Sequence, residues 1–217
     1  MDEYYHIPIL NANRAKTILL VLLVLVLGLL PVDGQADTRW YSNRALWEAA
    51  VASLADVNLT TQVQDGGTLS AHTSLNLPNT GTVSFNLPLY GYQVGISWDG
   101  WSGGNTPRIL FNDAVAVSAT FSAPQKAFGL EMEPLVMSVS MTLSTGPGLN
   151  EYLQQDVNGH DGAKFFGWVV GKNDVGYTSM TLSTVVSAPY FGFGRMVQGT
   201  VPAPVSLPGS VWLLLSE

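Results

Sequence analysis

The chain has no cysteine. That excludes disulfides and thiolate metal sites, and a chain of 217 residues is long enough to hold together by core packing alone. Charge is scarce as well: Asp, Glu, Lys and Arg make up 12% of the residues, against about a quarter in an average soluble domain. Only 9 residues are Lys or Arg, and the formal net charge is −7. The chain therefore lacks the basic stripe that a nucleic-acid footprint needs and the polybasic cluster that draws a protein to anionic lipid. No nucleic-acid partner is expected. What is plentiful is Gly, Ser, Thr and Val, a balance that suits an all-β exported protein better than a helical cytosolic enzyme.

The one long apolar run is N-terminal. Arg14 and Lys16 precede "TILLVLLVLVLGLL" (Thr17 to Leu30), followed by the breaker Pro31 and the small residues Gly34 and Ala36. A basic flank, a short apolar stretch and small residues before a cut form a secretory signal peptide, with cleavage expected after Ala36 and Asp37 opening the mature chain. The run falls short of the ~20 residues of a spanning helix, so a membrane tether follows only if the segment stays uncleaved. Being apolar on all sides, it does not suit the surface helix of a small domain. The implied partners are the export machinery and signal peptidase, and the implied location is the periplasm, cell surface or extracellular matrix. At the other end, Pro202, Pro204 and Pro208 mark residues 200–217 as an extended linker, running into "VWLLL" (Val211 to Leu215), too short to span a bilayer. Residues 37–199 form the folded domain.

Within that domain, Leu46, Trp47, Ala50, Val51 and Leu54 fall on one helical stripe, and Ser42 or Asn43 is placed to cap it. The spacing predicts a short helix over 43–54 with Trp47 as its anchor. Everything later alternates with period two. Val83, Phe85 and Leu87 share a face, as do Val115, Val117, Ala119 and Phe121, then Met137, Val139, Met141 and Leu143, then Met180 and Leu182. Alternation of this kind means one buried and one wet face, hence antiparallel sheets. With turn signals such as "QDGG", "PNTG", "TGPG" and "GKNDVG" between the runs, the expectation is about eight to twelve short strands. The predicted fold is an all-β, antiparallel, jelly-roll-like β-sandwich with one short N-terminal helix packed on it.

Three stretches invite a chemical reading. "GWSGG" (Gly100 to Gly104) has the pattern of a nucleophile elbow centred on Ser102, with His160 and either Asp113 or Asp156 downstream. The segment after it is strand-like, whereas an esterase elbow needs a helix there, so a Gly-rich turn is the preferred reading. The same loop, Trp98 to Asn105, offers a sugar-binding platform. Alternation buries Trp98, and Trp101 is the expected glycan contact, with Asp99 and Asn105 supplying hydrogen bonds. In "DVNGHDG", Asp156, Asn158, His160 and Asp161 resemble a calcium loop. Glycine falls one place late and Gly167 stands where the bidentate Glu belongs, so a polar turn is preferred and neither metal nor cofactor is assigned. His6 and His72 have no partners at ligand spacing. Glu131 and Glu133 lie on one face of a strand, an arrangement open to acid–base chemistry but ordinary on a wet surface.

Several segments together resemble the PEP-CTERM family of exported bacterial proteins. "YSNRALWEAAVASL" is similar to the family's opening, and "FSAPQKAFGLEMEPL" to its strand with Pro before Ala-Phe-Gly. "AKFFGWVVGKNDVGYTSMTLST" resembles its Phe-Phe-Gly strand and the following turn. "VSLPGSVWLLLSE" looks like the start of its sorting segment. The sorting-like residues are Val201, Pro202, Pro204, Leu207, Pro208 and Trp212. The resemblance implies a Gram-negative protein recognised by an exosortase-type membrane protease and delivered to the surface or to extracellular polysaccharide. The family pattern has a Glu between prolines, a spanning helix and an Arg-rich end. Here the prolines lack that Glu, the helix stops after Leu215 and no basic end follows, so truncation or a frameshift is the expectation. The function expected is that of a non-enzymatic surface or matrix protein. The alternatives are a carbohydrate-binding module using the Trp98 to Asn105 loop and, remotely, a serine esterase at Ser102.

Overall fold

The computed structural model describes residues 38–135, 137–146, 151–185 and 190–202. The signal segment with Gly34, Ala36 and Asp37, and the sorting-like residues Pro204, Leu207, Pro208 and Trp212, lie outside the described residues. In chain order the elements are β1 (Arg39–Tyr41), α1 (Arg44–Ala50), β2 (Ser53–Asp56), β3 (Thr68–Leu69), β4 (Ser74–Asn76), β5 (Thr82–Phe85), β6 (Leu89–Gln93), β7 (Arg108–Asn112), β8 (Ala116–Gln125), β9 (Ala127–Pro134), β10 (Ser138–Thr145), β11 (Glu151–Asn158), β12 (Lys164–Val169), β13 (Tyr177–Ser183) and β14 (Phe191–Thr200).

The strands form two antiparallel sheets. One runs β1-β12-β9-β14-β7-β6-β3, with β2 also paired to β14, and the other runs β11-β10-β13-β8-β5-β4. From β7 to β9, and again from β11 to β14, successive strands alternate between sheets, the wrapped connectivity expected of a jelly-roll-like sandwich. The predicted alternation holds in the six-stranded sheet. Val83, Phe85, Val117, Phe121, Val139, Met141, Leu143, Met180 and Leu182 all enter the shared core. They meet Phe128, Leu130, Met132, Phe166, Trp168, Phe191 and Phe193 from the other sheet. Met137, expected to join them, sits before β10 at a φ of 63° and is exposed.

The eight-stranded sheet departs from the simple pattern, because its centre is covered on both sides. Every residue of β9 is buried. Its outer face carries a second apolar cluster of Trp47, Ala127, Phe165, Val169 and Val197 and a third of Val94, Trp98, Trp101, Ile109 and Ala163. Helix α1 supplies the first cover. Asn43 caps it, its side chain accepting from the Leu46 N–H at 3.1 Å. It ends at Ala50 rather than 54, because Ser53–Asp56 pairs with β14 instead. Leu46 and Leu54 are therefore exposed, while Trp47 is fully buried and its indole N–H donates to the Trp168 carbonyl at 2.9 Å. The same pairing keeps Thr200, expected to open the linker, in β14 opposite Ser53. Val201 packs on the Trp47 cluster and Pro202 is exposed.

Glycine makes the outer cover possible. A Cβ on Gly129 would stand 2.4 Å from the Phe165 ring, and one on Gly167 or Gly199 would crowd Trp47 at 3.0 or 3.1 Å. The aromatic rings lie where side chains would otherwise be. Gly129→Ala is expected to cost about 1–3 kcal/mol through overpacking. Urea denaturation should show a lower midpoint with an unchanged slope.

Candidate functional site

The third cluster is built by two loops on the outer face. One joins β6 to β7 and carries Trp98, Asp99, Trp101 and Ser102; the other, Gly159–Ala163, joins β11 to β12. Trp98 lies over Gly192, where a Cβ would come within 3.3 Å of its ring, and packs against Tyr92 and Phe111. The loops touch backbone to backbone at Gly162, which has a φ of +90°, and a Cβ there would meet the Ser102 nitrogen at 2.9 Å. Gly162→Ala combines strain with a backbone clash and is expected to destabilise by about 1–3 kcal/mol. It should also move the Trp101 indole, which tryptophan fluorescence would register.

Beneath these loops lie Glu131 and Glu133, whose side chains share the outer face of β9. The expectation of a wet surface pair is corrected here: Glu131 is 3% exposed and Glu133 1%. The two have different surroundings. Glu131 Oε2 accepts from Trp101 Nε1 at 2.6 Å and from Ser102 Oγ at 2.8 Å. Its Oε1 accepts from Arg195 Nη1 at 2.8 Å, with Arg44 Nη1 at 3.8 Å. Such a carboxylate is paired and largely saturated. Glu133 accepts one hydrogen bond among the described residues, from Trp98 Nε1 to Oε2 at 3.0 Å. Burial pushes its carboxyl up to about 7, against the lowering effect of the Trp98 hydrogen bond and with a further upward push from Asp99.

Glu133 forms part of the wall of a cleft of about 350 Å³, completed by Trp98 to Trp101, Leu135 and Gly159 to Gly162. No Lys or Arg is in this lining. Asp99, expected as a glycan contact, is exposed at the cleft. Trp101 is 5% exposed, so it is a wall of the cleft and not an open stacking platform. Asn105 is outside the lining, its Nδ2 donating to the Ser102 carbonyl at 2.7 Å.

Ser102 begins a short 3₁₀ turn, Ser102–Gly104, that leads into β7. The helix of a nucleophile elbow is absent from this segment, and the Ser102 hydroxyl donates to ion-paired Glu131 instead of to a histidine. Asp156 is exposed on β11, and Asn158 Nδ2 donates to Asp161 Oδ2 at 2.8 Å in the turn that follows. Among the described residues no three His, Cys, Asp or Glu side chains gather as metal ligands.

No protein-family model matches the chain, and no curated protein does. Similar solved structures are carbohydrate-binding modules. One, of family 29, is 12% identical, with 69% of this chain and 89% of that chain covered, at a TM-score of 0.31. A CBM29-2 mutant complexed with cellulohexaose is also 12% identical, with 70% and 93% covered, at a TM-score of 0.32. Likeness at this level has no bearing on ligand or site.

Sequence reasoning singled out the Trp98 to Asn105 loop but missed Glu133 as its floor. The available signal was glycine at alternate strand positions, Gly192 and Gly194 in β14 and Gly129 in β9. Glycine inside a strand marks a place where something lies close on that face.

Proposed function

We propose that the chain is an exported, non-catalytic component of the cell surface or extracellular matrix that binds carbohydrate in the cleft above Glu133. The observation that supports this most directly is Glu133 itself. It is a buried carboxyl with a single hydrogen bond, set in a recess walled by two indoles and edged by Asp99, His160 and Asp161. Apolar walls with a few convergent polar groups are the usual form of a small-ligand site. The export half of the proposal rests on the pattern of residues 1–36 and on the PEP-CTERM resemblance, in which extracellular polysaccharide is the natural partner and an exosortase-type protease the processing enzyme.

The non-catalytic part has its own support. Glu131 is committed to Arg195, Trp101 and Ser102, which leaves Glu133 without a second free carboxyl on its strand and Ser102 without a base. A glycan array with the full chain tests the reading. Asp99→Ala and His160→Ala alter exposed residues of the cleft and are expected to weaken any real signal about tenfold while leaving the melting temperature unchanged. Glycan binding indifferent to both substitutions would reject this site.

A further inference from the structure

The lining of the cleft has one sign of charge. Asp99, Glu133 and Asp161 are carboxylates, His160 is the sole other ionisable group, and no Lys or Arg is present. Arg195, which reaches the same face of β9, is paired with Glu131. Glu133 is 1% exposed, yet only its Oε2 accepts a hydrogen bond among the described residues; Oε1 accepts none. Oε1 is not fully buried, so it is the oxygen open to the cleft. A largely buried carboxylate with one donor is costly, and three carboxylates around one recess repel each other and any anionic ligand. The group that relieves both is a cation small enough to enter, with hydrogen-bond donors of its own.

We propose that the cleft takes a protonated amino sugar, its ammonium placed against Glu133 Oε1 between the Trp98 and Trp101 indoles. The inference rests on the carbohydrate-binding reading above and narrows it to cationic polysaccharide such as de-N-acetylated hexosamine chains. A carboxylate oxygen in a recess with apolar walls favours an ammonium through charge and through charge-assisted hydrogen bonds. A sugar is favoured over a lysine side chain because the exposed rim supplies Asp99, His160 and Asp161 for ring hydroxyls, which a methylene stem cannot use. Uronic-acid and sulfated chains are excluded by the same charges.

Calorimetric titration of the full chain with four probes tests this: a glucosamine tetramer, an N-acetylglucosamine tetramer, a glucose tetramer and tetralysine. The glucosamine tetramer is expected to bind at least about tenfold more tightly than the other three, and less tightly as salt is raised. Glu133→Gln keeps the acceptor for Trp98 and is expected to abolish the preference. Asp99→Asn, at an exposed position, should reduce it in part and serves if the first variant folds poorly. Equal binding of the glucose or N-acetylated tetramer would overturn the amino-sugar inference and leave the carbohydrate reading standing. Failure of all three sugars to bind would overturn both. Tetralysine binding as tightly as the glucosamine tetramer would show recognition of an ammonium alone and overturn the sugar assignment.

Discussion

Trp47→Ala is expected to lower the stability of the domain by about 3–5 kcal/mol, the range for a large aromatic lost from a packed interior. The reason lies in the floor under the ring. Gly167 and Gly199 approach Trp47 and have no side chains that could move into the space it vacates. The Trp168 carbonyl loses the indole donor at the same time, and a seven-residue helix such as Arg44–Ala50 has little stability of its own. Equilibrium denaturation in urea measures the loss directly. A change below about 1 kcal/mol, the size of an ordinary surface substitution, would mean that α1 is not the anchor of the outer face.

Glu133→Gln is expected to act in the opposite direction, and only at higher pH. The Glu133 carboxyl titrates near 7 in the folded protein against 4.5 for an unperturbed Glu. Below 4.5 both states hold the proton and burial of the neutral acid carries no charge penalty. As pH rises through that window the unfolded chain releases its proton while the folded one keeps it, so stability falls, and the loss is complete above about 7. The gap between 4.5 and about 7 corresponds to on the order of 3 kcal/mol. Glutamine has no proton to lose. The variant should match the wild type near pH 4 and exceed it by up to that amount at pH 8, with the difference curve isolating this group from all others. Asp65 is held below its usual value by Ser97, Gln93 and Arg108, so its own contribution is lost only as pH falls below 3.8 and does not overlap. Parallel stability curves for the two proteins across pH 4–8 would refute a buried, reluctant acid at this position. A site residue that destabilises its own fold is common where binding requires an unsatisfied group.

These two predictions concern the parts of the molecule that were hardest to read from the residues. The six-stranded sheet was legible because one of its faces is wet: Val83 and Phe85 against Ser84, or Met180 and Leu182 against Thr181, announce their sides by local alternation. In the eight-stranded sheet the same rule led to Glu131 and Glu133 being placed in water, since strand periodicity reports two faces without saying what covers either. The covers come from elsewhere in the chain. Trp101 and Ser102 reach Glu131 from thirty residues away, and Arg195 from sixty-four. Helix α1 was recognised by Trp47, but its end was misplaced because Leu54 follows the helical stripe while its backbone pairs with Gly199. Local propensity lost there to a long-range ladder. The glycines of β9, β12 and β14 were the one local trace of these distant contacts.

The position of β14 has a consequence for how the sandwich assembles. This strand lies between β9 and β7, and past the irregularity at Gly194/Val197 it takes β2 on the edge that β7 has left. Until Phe191–Thr200 is available, the β1-β12-β9 and β7-β6-β3 groups and β2 have no backbone connection to one another within the sheet. During synthesis from the N-terminus, two partial sheets with open edges must therefore wait for the last described strand. A topology so dependent on distant pairing folds slowly, on the millisecond-to-second scale, and is vulnerable to edge-to-edge association in the interval. The strand that closes the sheet is thus the one that arrives last among the described residues.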